Sequence, residues 1–143
     1  MTIAIGSDHG GFALKELVIK HLQEKGVEVK DCGCYDKSSV DYPVYGKAVA
    51  QSVVDGECEK GIVICTTGIG ISITANKFKG IRCALCADTL SAQLTRLHND
   101  ANVLAMGAGI VGPNLAINIV DTFLGTEFSG EERHQRRIDQ IEN

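Results

Sequence analysis

Short apolar runs alternate with amphipathic stretches along the whole chain. The runs predict five β-strands, at Ile3–Ser7, Val27–Cys32, Gly61–Cys65, Ile81–Ala87 and Val103–Gly107. The stretches between them predict helices at about 12–25, 42–55, 70–77, 89–98 and 114–124. Because the runs are continuous, we expect strands covered on both faces, and the strand–helix alternation implies a parallel sheet. The pattern predicts an α/β fold, a Rossmann-like three-layer αβα sandwich.

The chain becomes strongly polar after residue 125. Residues 130–142 keep helical character, but their main apolar anchors are Ile138 and Ile141, so this helix would fray alone. A length of 143 residues fits one domain. We therefore expect a single domain over residues 1–143, with a C-terminal extension at 126–143 that packs against another surface, such as a partner subunit.

Charge and composition exclude several classes of function. The net charge of −4, without long runs of like charge, predicts no binding to nucleic acid or to a membrane surface. No apolar run is long enough to cross a bilayer, and the amino end lacks a signal-peptide pattern. We expect a cytoplasmic protein, in which the six cysteines stay reduced.

Reactive residues fall where the predicted strands end. Ligands of open parallel sheets bind at the carboxyl ends of the strands, and we expect residues 7–11, 65–72 and 98–100 at this edge. Cys65 ends the third strand, and the two glycines after it let backbone N–H groups face a ligand at a helix amino terminus. Such a loop would hold an oxyanion and stabilise a thiolate. The alternative is that Cys65 is a buried, small apolar side chain.

Histidines and arginines supply further candidates for the same site. His9 and His98 both lie beside the predicted loops, with Asp8 adjacent to His9, which suggests one proton-transfer group and one anion contact. Arg133 and Arg137 lie one helical turn apart and project from one face, a spacing suited to a phosphate. The alternative is a solvated basic face of the last helix.

Five segments together carry a resemblance to a known family. They are SDHGG at 7–11, DYP at 41–43, CTTGIGISITANK at 65–77, SAQLTRLHNDANVLAMG at 91–107 and ERHQRRI at 132–138. In combination they closely resemble the ribose-5-phosphate isomerase B and galactose-6-phosphate isomerase family over practically the whole chain. The resemblance implies an aldose–ketose isomerase of phosphorylated sugars without metal or cofactor. It also implies a homodimer with shared active sites, often paired into tetramers.

The resemblance implies catalytic roles for four residues. Cys65 would be the base that moves a proton between C2 and C1, and Thr67 would place a hydroxyl beside the reacting oxygens. His98, assisted by Asp8, would open the furanose ring. The loop amides would then hold an enediolate intermediate. Some relatives have a carboxylate at the position of Ile69, so this chain resembles the cysteine-type branch.

The resemblance also implies the substrate contacts. His9, with Arg133 and Arg137 of the neighbouring subunit, would hold the phosphate. The remaining substrate-binding positions are Tyr42, Thr66, Gly68, Ile69, Gly70, Ser72 and Asn99. One departure is Gly109, where many relatives carry a phosphate-binding arginine. Either Arg136 or another group compensates, or phosphate binding is weaker, or the preferred sugar differs.

The resemblance leaves the substrate open. Ribose 5-phosphate and ribulose 5-phosphate, of the pentose phosphate pathway, are the expected pair, and allose or galactose 6-phosphate is the alternative. A non-catalytic, sugar-phosphate-binding subunit of a heteromeric isomerase is an alternative of another class. Dimer and tetramer are equally open, and so is the subunit that supplies each arginine.

Three other classes of protein fit the residues less well. A nicotinamide-binding loop would match Gly68 and Gly70, with Asp88 about 20 residues on, but Ile73 stands in place of the third glycine. A cysteine phosphatase would need an arginine where Ile71 stands. A metal module is suggested only by the cysteine pair at 83 and 86, and residues three apart in a strand point to opposite faces.

Overall fold

Five parallel strands form one sheet. The computed structural model describes residues 1–143. The strands are β1 (Thr2–Ser7), β2 (Glu28–Asp31), β3 (Lys60–Cys65), β4 (Cys83–Leu85) and β5 (Val103–Gly107). Their order across the sheet is β2-β1-β3-β5-β4, and every neighbouring pair is parallel. The predicted five-stranded parallel sheet is confirmed.

Six helices follow the strands at the positions that the apolar spacing predicts. They are α1 (Phe12–Glu24), α2 (Tyr42–Val54), α3 (Ile69–Ala75), α4 (Thr89–Asn99), α5 (Pro113–Gly125) and α6 (Glu132–Glu142), with a 3₁₀ turn at His9–Gly11. Prolines in the first turns of α2 and α5 fit the helical backbone there without losing a hydrogen bond. The side chain of Asp88 caps α4 by accepting a hydrogen bond from the Ser91 amide at 2.6 Å.

The helices cover both faces of the sheet, which makes the three layers. Helices α1, α4 and α5 pack with Ile3, Ile5 and their strand neighbours on one face. Helices α2 and α3 pack against Ala4 and Val63 on the other. The predicted αβα sandwich is therefore confirmed. No helix combines the length and the apolar character needed to cross a membrane.

The two edge strands differ from the prediction. The central strands β1, β3 and β5 are almost wholly buried, as their continuous apolar runs indicate. Strand β2 instead alternates exposed and half-buried residues, and β4 is half-buried to exposed. Coverage of these two strands on both faces was the wrong expectation; β2 and β4 are the two edge strands of the sheet.

The order of the strands fixes where a ligand can bind. From β1 the chain crosses to β2 on one side, whereas β3 lies on the other side of β1 and leads on toward β5 and β4. The carboxyl ends of β1 and β3 thus form a topological switch point, where open parallel sheets leave a crevice. The segment after β1 begins at Asp8, and β3 ends at Cys65, so both residues lie at this crevice.

The C-terminal helix α6 packs on α4 of its own chain. His134 and Ile138 are buried, the Ser129 amide donates to the Leu97 carbonyl at 3.3 Å, and Arg82 pairs with Glu142 at 2.6 Å. Ile138 is thereby buried within one chain, whereas Ile141, the other predicted anchor, is 62% exposed. The contact of the extension with a partner subunit remains a prediction, and it would involve the exposed side of the helix.

Candidate active site

Cys65 lies at the end of β3 with its sulfur beneath a loop amide. The residue is only 4% exposed, and its Sγ accepts a hydrogen bond from the Gly68 N–H at 3.1 Å. Gly68 has a φ of 77°, and a Cβ on it would lie 2.6 Å from both Leu85 and the Met106 backbone. Only glycine fits there, so the close approach of amide and sulfur depends on Gly68.

Hydroxyl groups surround the same loop. Thr66 and Thr67 are exposed, and Thr67 Oγ1 accepts a hydrogen bond from the Ile69 amide at 3.2 Å. Ser72 Oγ donates to the Ile69 carbonyl at 2.7 Å and thereby fixes the first turn of α3. These hydrogen bonds hold the backbone between Thr67 and Ser72 in place beneath a bound ligand.

Tyr42 and Asp8 lie next to this loop. The ring of Tyr42 lies directly over Gly70, where an added Cβ would be 2.5 Å from the ring. Asp8 is 7% exposed, and its Oδ1 accepts a hydrogen bond from the Gly11 amide at 3.0 Å. The carboxylate therefore caps the turn that carries the exposed His9.

An open cavity lies over these residues. Its volume is about 420 Å³, and it is lined by Asp8, Tyr42, Cys65, Thr66, Thr67, Ile69 and Gly70. This volume lies within the range of small-molecule sites. Cys65 is almost wholly buried, yet it is one of the residues that line the cavity. The structure thus brings together most residues of the predicted site.

His98 and Asn99 do not lie at this edge. Helix α4 starts beside the carboxyl end of β4 and ends at the opposite edge, where the Asn99 carbonyl accepts a hydrogen bond from Arg82 Nε at 2.8 Å. Arg82 directly precedes β4, which places the contact at the amino end of the sheet. The prediction that residues 98–100 share the edge of Cys65 is therefore wrong within one chain.

A second group of predicted site residues gathers at this opposite edge. The rings of His98 and His134 stack with centroids 4.4 Å apart and planes 17° from parallel. Burial, together with the charge of His98, lowers the pKa of His134. Arg133 and Arg137 are exposed on the same helix. His134 was not predicted as a site residue, and the available signal was its place four positions, about one helical turn, before the apolar anchor Ile138.

The loop after β5 also touches the site. The Gly109 amide donates a hydrogen bond to the Thr66 carbonyl at 2.8 Å, and a Cβ at Gly109 would meet that carbonyl at 3.1 Å. The position is exposed, and it adjoins Thr66, which lines the cavity. Arg136 lies on α6 and pairs with Glu132 at 3.7 Å, so it belongs to the opposite edge.

In the cysteine pair of the metal alternative, Cys83 is half-buried in β4 and Cys86 is buried directly after that strand. Burial raises the pKa of Cys83 to about 12 and that of Cys86 to about 11. Loss of both thiol protons, which metal binding requires, is therefore disfavoured. The structure contains no group of three or more His, Cys, Asp or Glu side chains placed to hold a metal ion.

The arrangement is that of an enzyme which moves protons on a small polar substrate, since a Rossmann-like sheet presents a thiol, hydroxyls and amide donors at one crevice. Comparison with known proteins narrows this class. The chain belongs to the ribose/galactose isomerase family, whose family model matches residues 3–141, and is a sugar-phosphate isomerase. This membership disfavours the nicotinamide and phosphatase alternatives.

Individual relatives agree with the family. Ribose-5-phosphate isomerase B of Escherichia coli is 52% identical over 139 residues, which are 97% of this chain and 93% of the relative. The structure of ribose-5-phosphate isomerase B from Clostridium thermocellum superposes with a TM-score of 0.98 at 52% identity, covering 99% of this chain and 95% of that chain. A galactose-6-phosphate isomerase subunit of Clostridium acetobutylicum is 41% identical over 99% of this chain and 82% of the relative.

Proposed function

We propose that the chain interconverts ribose 5-phosphate and ribulose 5-phosphate through an enediolate intermediate. The observation that carries the proposal is the Cys65 sulfur, which lies 3.1 Å from the Gly68 amide beside an open cavity of about 420 Å³. The two relatives at 52% identity, from Escherichia coli and Clostridium thermocellum, both bear the name ribose-5-phosphate isomerase B. We propose that the enzyme acts in the cytoplasm.

In the proposed reaction Cys65 carries one proton. With the sugar open, its thiolate removes the hydrogen from C2 of the aldose as a proton, and the electron pair forms the C1–C2 double bond of the enediolate. The same sulfur returns the proton to C1, which gives the ketose, while a proton moves between the two oxygens. The Gly68 N–H donates a hydrogen bond to the sulfur at 3.1 Å.

The loop amides stabilise the charge that develops on the sugar oxygens. The first intrahelical bond of α3 is that of the Ser72 amide to the Gly68 carbonyl, so the N–H groups of Gly70 and Ile71 have no partner within the helix. Donors preorganised for a transition-state oxyanion contribute about 3 to 4 kcal/mol each. The Thr67 hydroxyl lies beside these amides and supports the transfer between O1 and O2.

A second copy of the chain completes the proposed site. His98 and Asn99 lie at the opposite edge of the sheet from Cys65, so one chain cannot apply both groups to one sugar. In a two-fold dimer, each subunit would place its His98 over the cavity of the other. His98, with Asp8 across the cavity, would then open the furanose ring by proton transfer.

Exposed apolar side chains support this dimer. Five of them come from α3, β4 and the start of α4, at the end of the sandwich that β4 leaves without a neighbouring strand: Ile69 (53% exposed), Ile73 (55%), Leu85 (44%), Leu90 (60%) and Leu94 (37%). Apolar groups clustered at an open sheet edge are typical of protein interfaces. Ile69 also lines the cavity, so the proposed interface would reach the site itself. Homodimer and homotetramer both satisfy this arrangement.

The phosphate is proposed to bind between the two subunits. His9 is exposed beside the cavity of one subunit, and Arg133 and Arg137 of the partner would approach from the other side. A guanidinium pair one helical turn apart matches the geometry of phosphate oxygens. The chain as a whole is acidic, so these arginines provide the local positive charge that an anionic sugar needs.

A substrate panel tests the proposed function. The purified chain, expressed without any second protein, is expected to isomerise ribose 5-phosphate with a kcat/KM at least about tenfold above that for allose 6-phosphate or galactose 6-phosphate. A preference for a hexose phosphate would replace the proposed substrate. Absence of turnover with all three sugars, in a folded protein that still binds them, would instead identify a non-catalytic subunit.

A further inference from the structure

Lys15 is a charged side chain buried completely at the start of α1. Its Nζ lies 2.9 Å from both carboxylate oxygens of Asp31 and 2.9 Å from Glu16 Oε1. Burial lowers the pKa of Lys15, but these carboxylates outweigh burial and raise it above the ordinary value. The lysine is therefore charged inside the protein. A fully buried lysine is rare and survives only when it is paired, so its position calls for a specific role.

Its partner Asp31 organises the segment that follows β2, which we call the 32–41 loop. Asp31 Oδ1 accepts a hydrogen bond from the Gly33 amide at 2.9 Å, and the Asp31 carbonyl accepts one from the Tyr35 hydroxyl at 3.2 Å. The Ser7 amide donates to the Gly33 carbonyl at 2.6 Å, and the Cys34 amide donates to the Ser7 carbonyl at 2.8 Å. The loop is thereby fastened to the end of β1, one residue before Asp8.

The far end of the 32–41 loop contacts His9. The Val40 N–H donates a hydrogen bond to His9 Nδ1 at 3.1 Å. Because a backbone N–H can only donate, Nδ1 must be the acceptor, and the proton of the neutral ring resides on Nε2. His9 is otherwise exposed, so without this bond its ring would be free to rotate and to exchange tautomers. The loop thus decides which ring nitrogen presents a proton.

We propose that Lys15 is a positioning residue for the substrate phosphate: through Asp31 and the 32–41 loop it holds His9 as the Nε2–H tautomer, ready to donate to a phosphate oxygen. The inference rests on the proposed function in one respect, which is the assignment of His9 to the phosphate. The buried Lys15–Asp31 ion pair holds the start of the 32–41 loop in place. The loop in turn holds the Val40 amide against His9, and this amide selects the tautomer. Loss of the lysine charge would leave Asp31 without its partner and loosen the loop from its anchored end.

The test compares Lys15→Met with the wild-type enzyme. Nitrogen NMR of the histidine-labelled enzyme without substrate is expected to show His9 as the Nε2–H tautomer in the wild type and as a mixture in the variant. The KM for ribose 5-phosphate is expected to rise about tenfold with kcat changed less than about twofold, since one hydrogen bond to a charged group is weakened. In a His9→Ala background, Lys15→Met is expected to have no further effect on KM.

Two further variants keep the test decisive. Lys25→Met is the matched control, because Lys25 follows the same helix and pairs with Asp121 at 3.1 Å, away from the loop; neither tautomer nor KM should change. If Lys15→Met does not fold, Val40→Pro removes the Val40 N–H, with φ fixed at that residue, and must give the same mixed tautomer and raised KM.

Three results would overturn the inference. They are an unchanged His9 tautomer in the folded Lys15→Met or Val40→Pro enzyme, an unchanged KM in that enzyme, or a full Lys15→Met effect on KM in the His9→Ala background. If ribose 5-phosphate proves not to be the substrate, the tautomer measurement and the dissociation constant for inorganic phosphate still decide the role of Lys15. Failure of the proposed function and failure of this inference are thereby distinguishable.

Discussion

The Cys65→Ala enzyme is expected to isomerise ribose 5-phosphate about a thousandfold more slowly than the wild type, because general-base catalysis of this kind contributes two to four orders of magnitude. The thiol is the only ionisable group at the end of β3, and Cys65 lines the cavity. The loop amides and the hydroxyl of Thr67 remain in the variant. Substrate affinity is therefore expected to stay within about threefold of the wild-type value, since these groups are untouched.

Two measurements separate chemistry from binding in this variant. A coupled assay gives kcat, and calorimetry gives the dissociation constant for ribose 5-phosphate. The variant should also lose the exchange of the C2 hydrogen with deuterated solvent. Cys86→Ala is the matched control, because Cys86 is another buried thiol, 2% exposed, outside the residues that line the cavity. Survival of activity within about tenfold in Cys65→Ala would show that another group is the base.

The His98→Ala enzyme is expected to lose about a hundredfold in kcat/KM, because ring opening of the furanose needs a proton-transfer group. The loss should occur although His98 and Cys65 lie at opposite edges of one chain. His21→Ala is the matched control, since His21 lies on α1 and contacts Asp121 at 2.8 Å. Steady-state kinetics with ribose 5-phosphate measure both variants, and near-normal activity of His98→Ala would remove His98 from the mechanism.

Most of the fold was predictable from the sequence because the central strands are buried on both faces. Runs such as Ile62–Cys65 contain no polar break, and periodicity identifies them at once. The edge strand β2 was less predictable, since Glu28 and Lys30 alternate with half-buried residues and the run of six predicted positions shrinks to four. Which strand lies at an edge depends on the sheet order, and local pattern does not contain that order.

The site was predictable in part. The residues that follow β1 and β3 come together because parallel strands end at one edge, which sequence order alone implies. The error at His98 came from neglecting the length of α4: eleven residues rise about 16 Å, enough to carry the chain back across the sheet.

Contacts between distant residues were beyond sequence reasoning. Lys15 looks like an ordinary polar position of an amphipathic helix, and nothing near it in sequence indicates Asp31, which is 16 residues away. The same holds for His9 and Val40, which are 31 residues apart. Such pairs follow from how α1 and the 32–41 loop fold over β1, and only the three-dimensional structure contains that information.

The central claim is that the sulfur of one chain and the imidazole of another act on the same sugar. Cys65→Ala and His98→Ala subunits, co-expressed with two different tags and purified through both, give mixed dimers in which one site carries both substitutions and the other carries neither. The measurement is the kcat of these mixed dimers with ribose 5-phosphate. A shared site predicts recovery to roughly half the wild-type value, although each parent enzyme is nearly inactive. Mixed dimers as inactive as their parents would contradict the account.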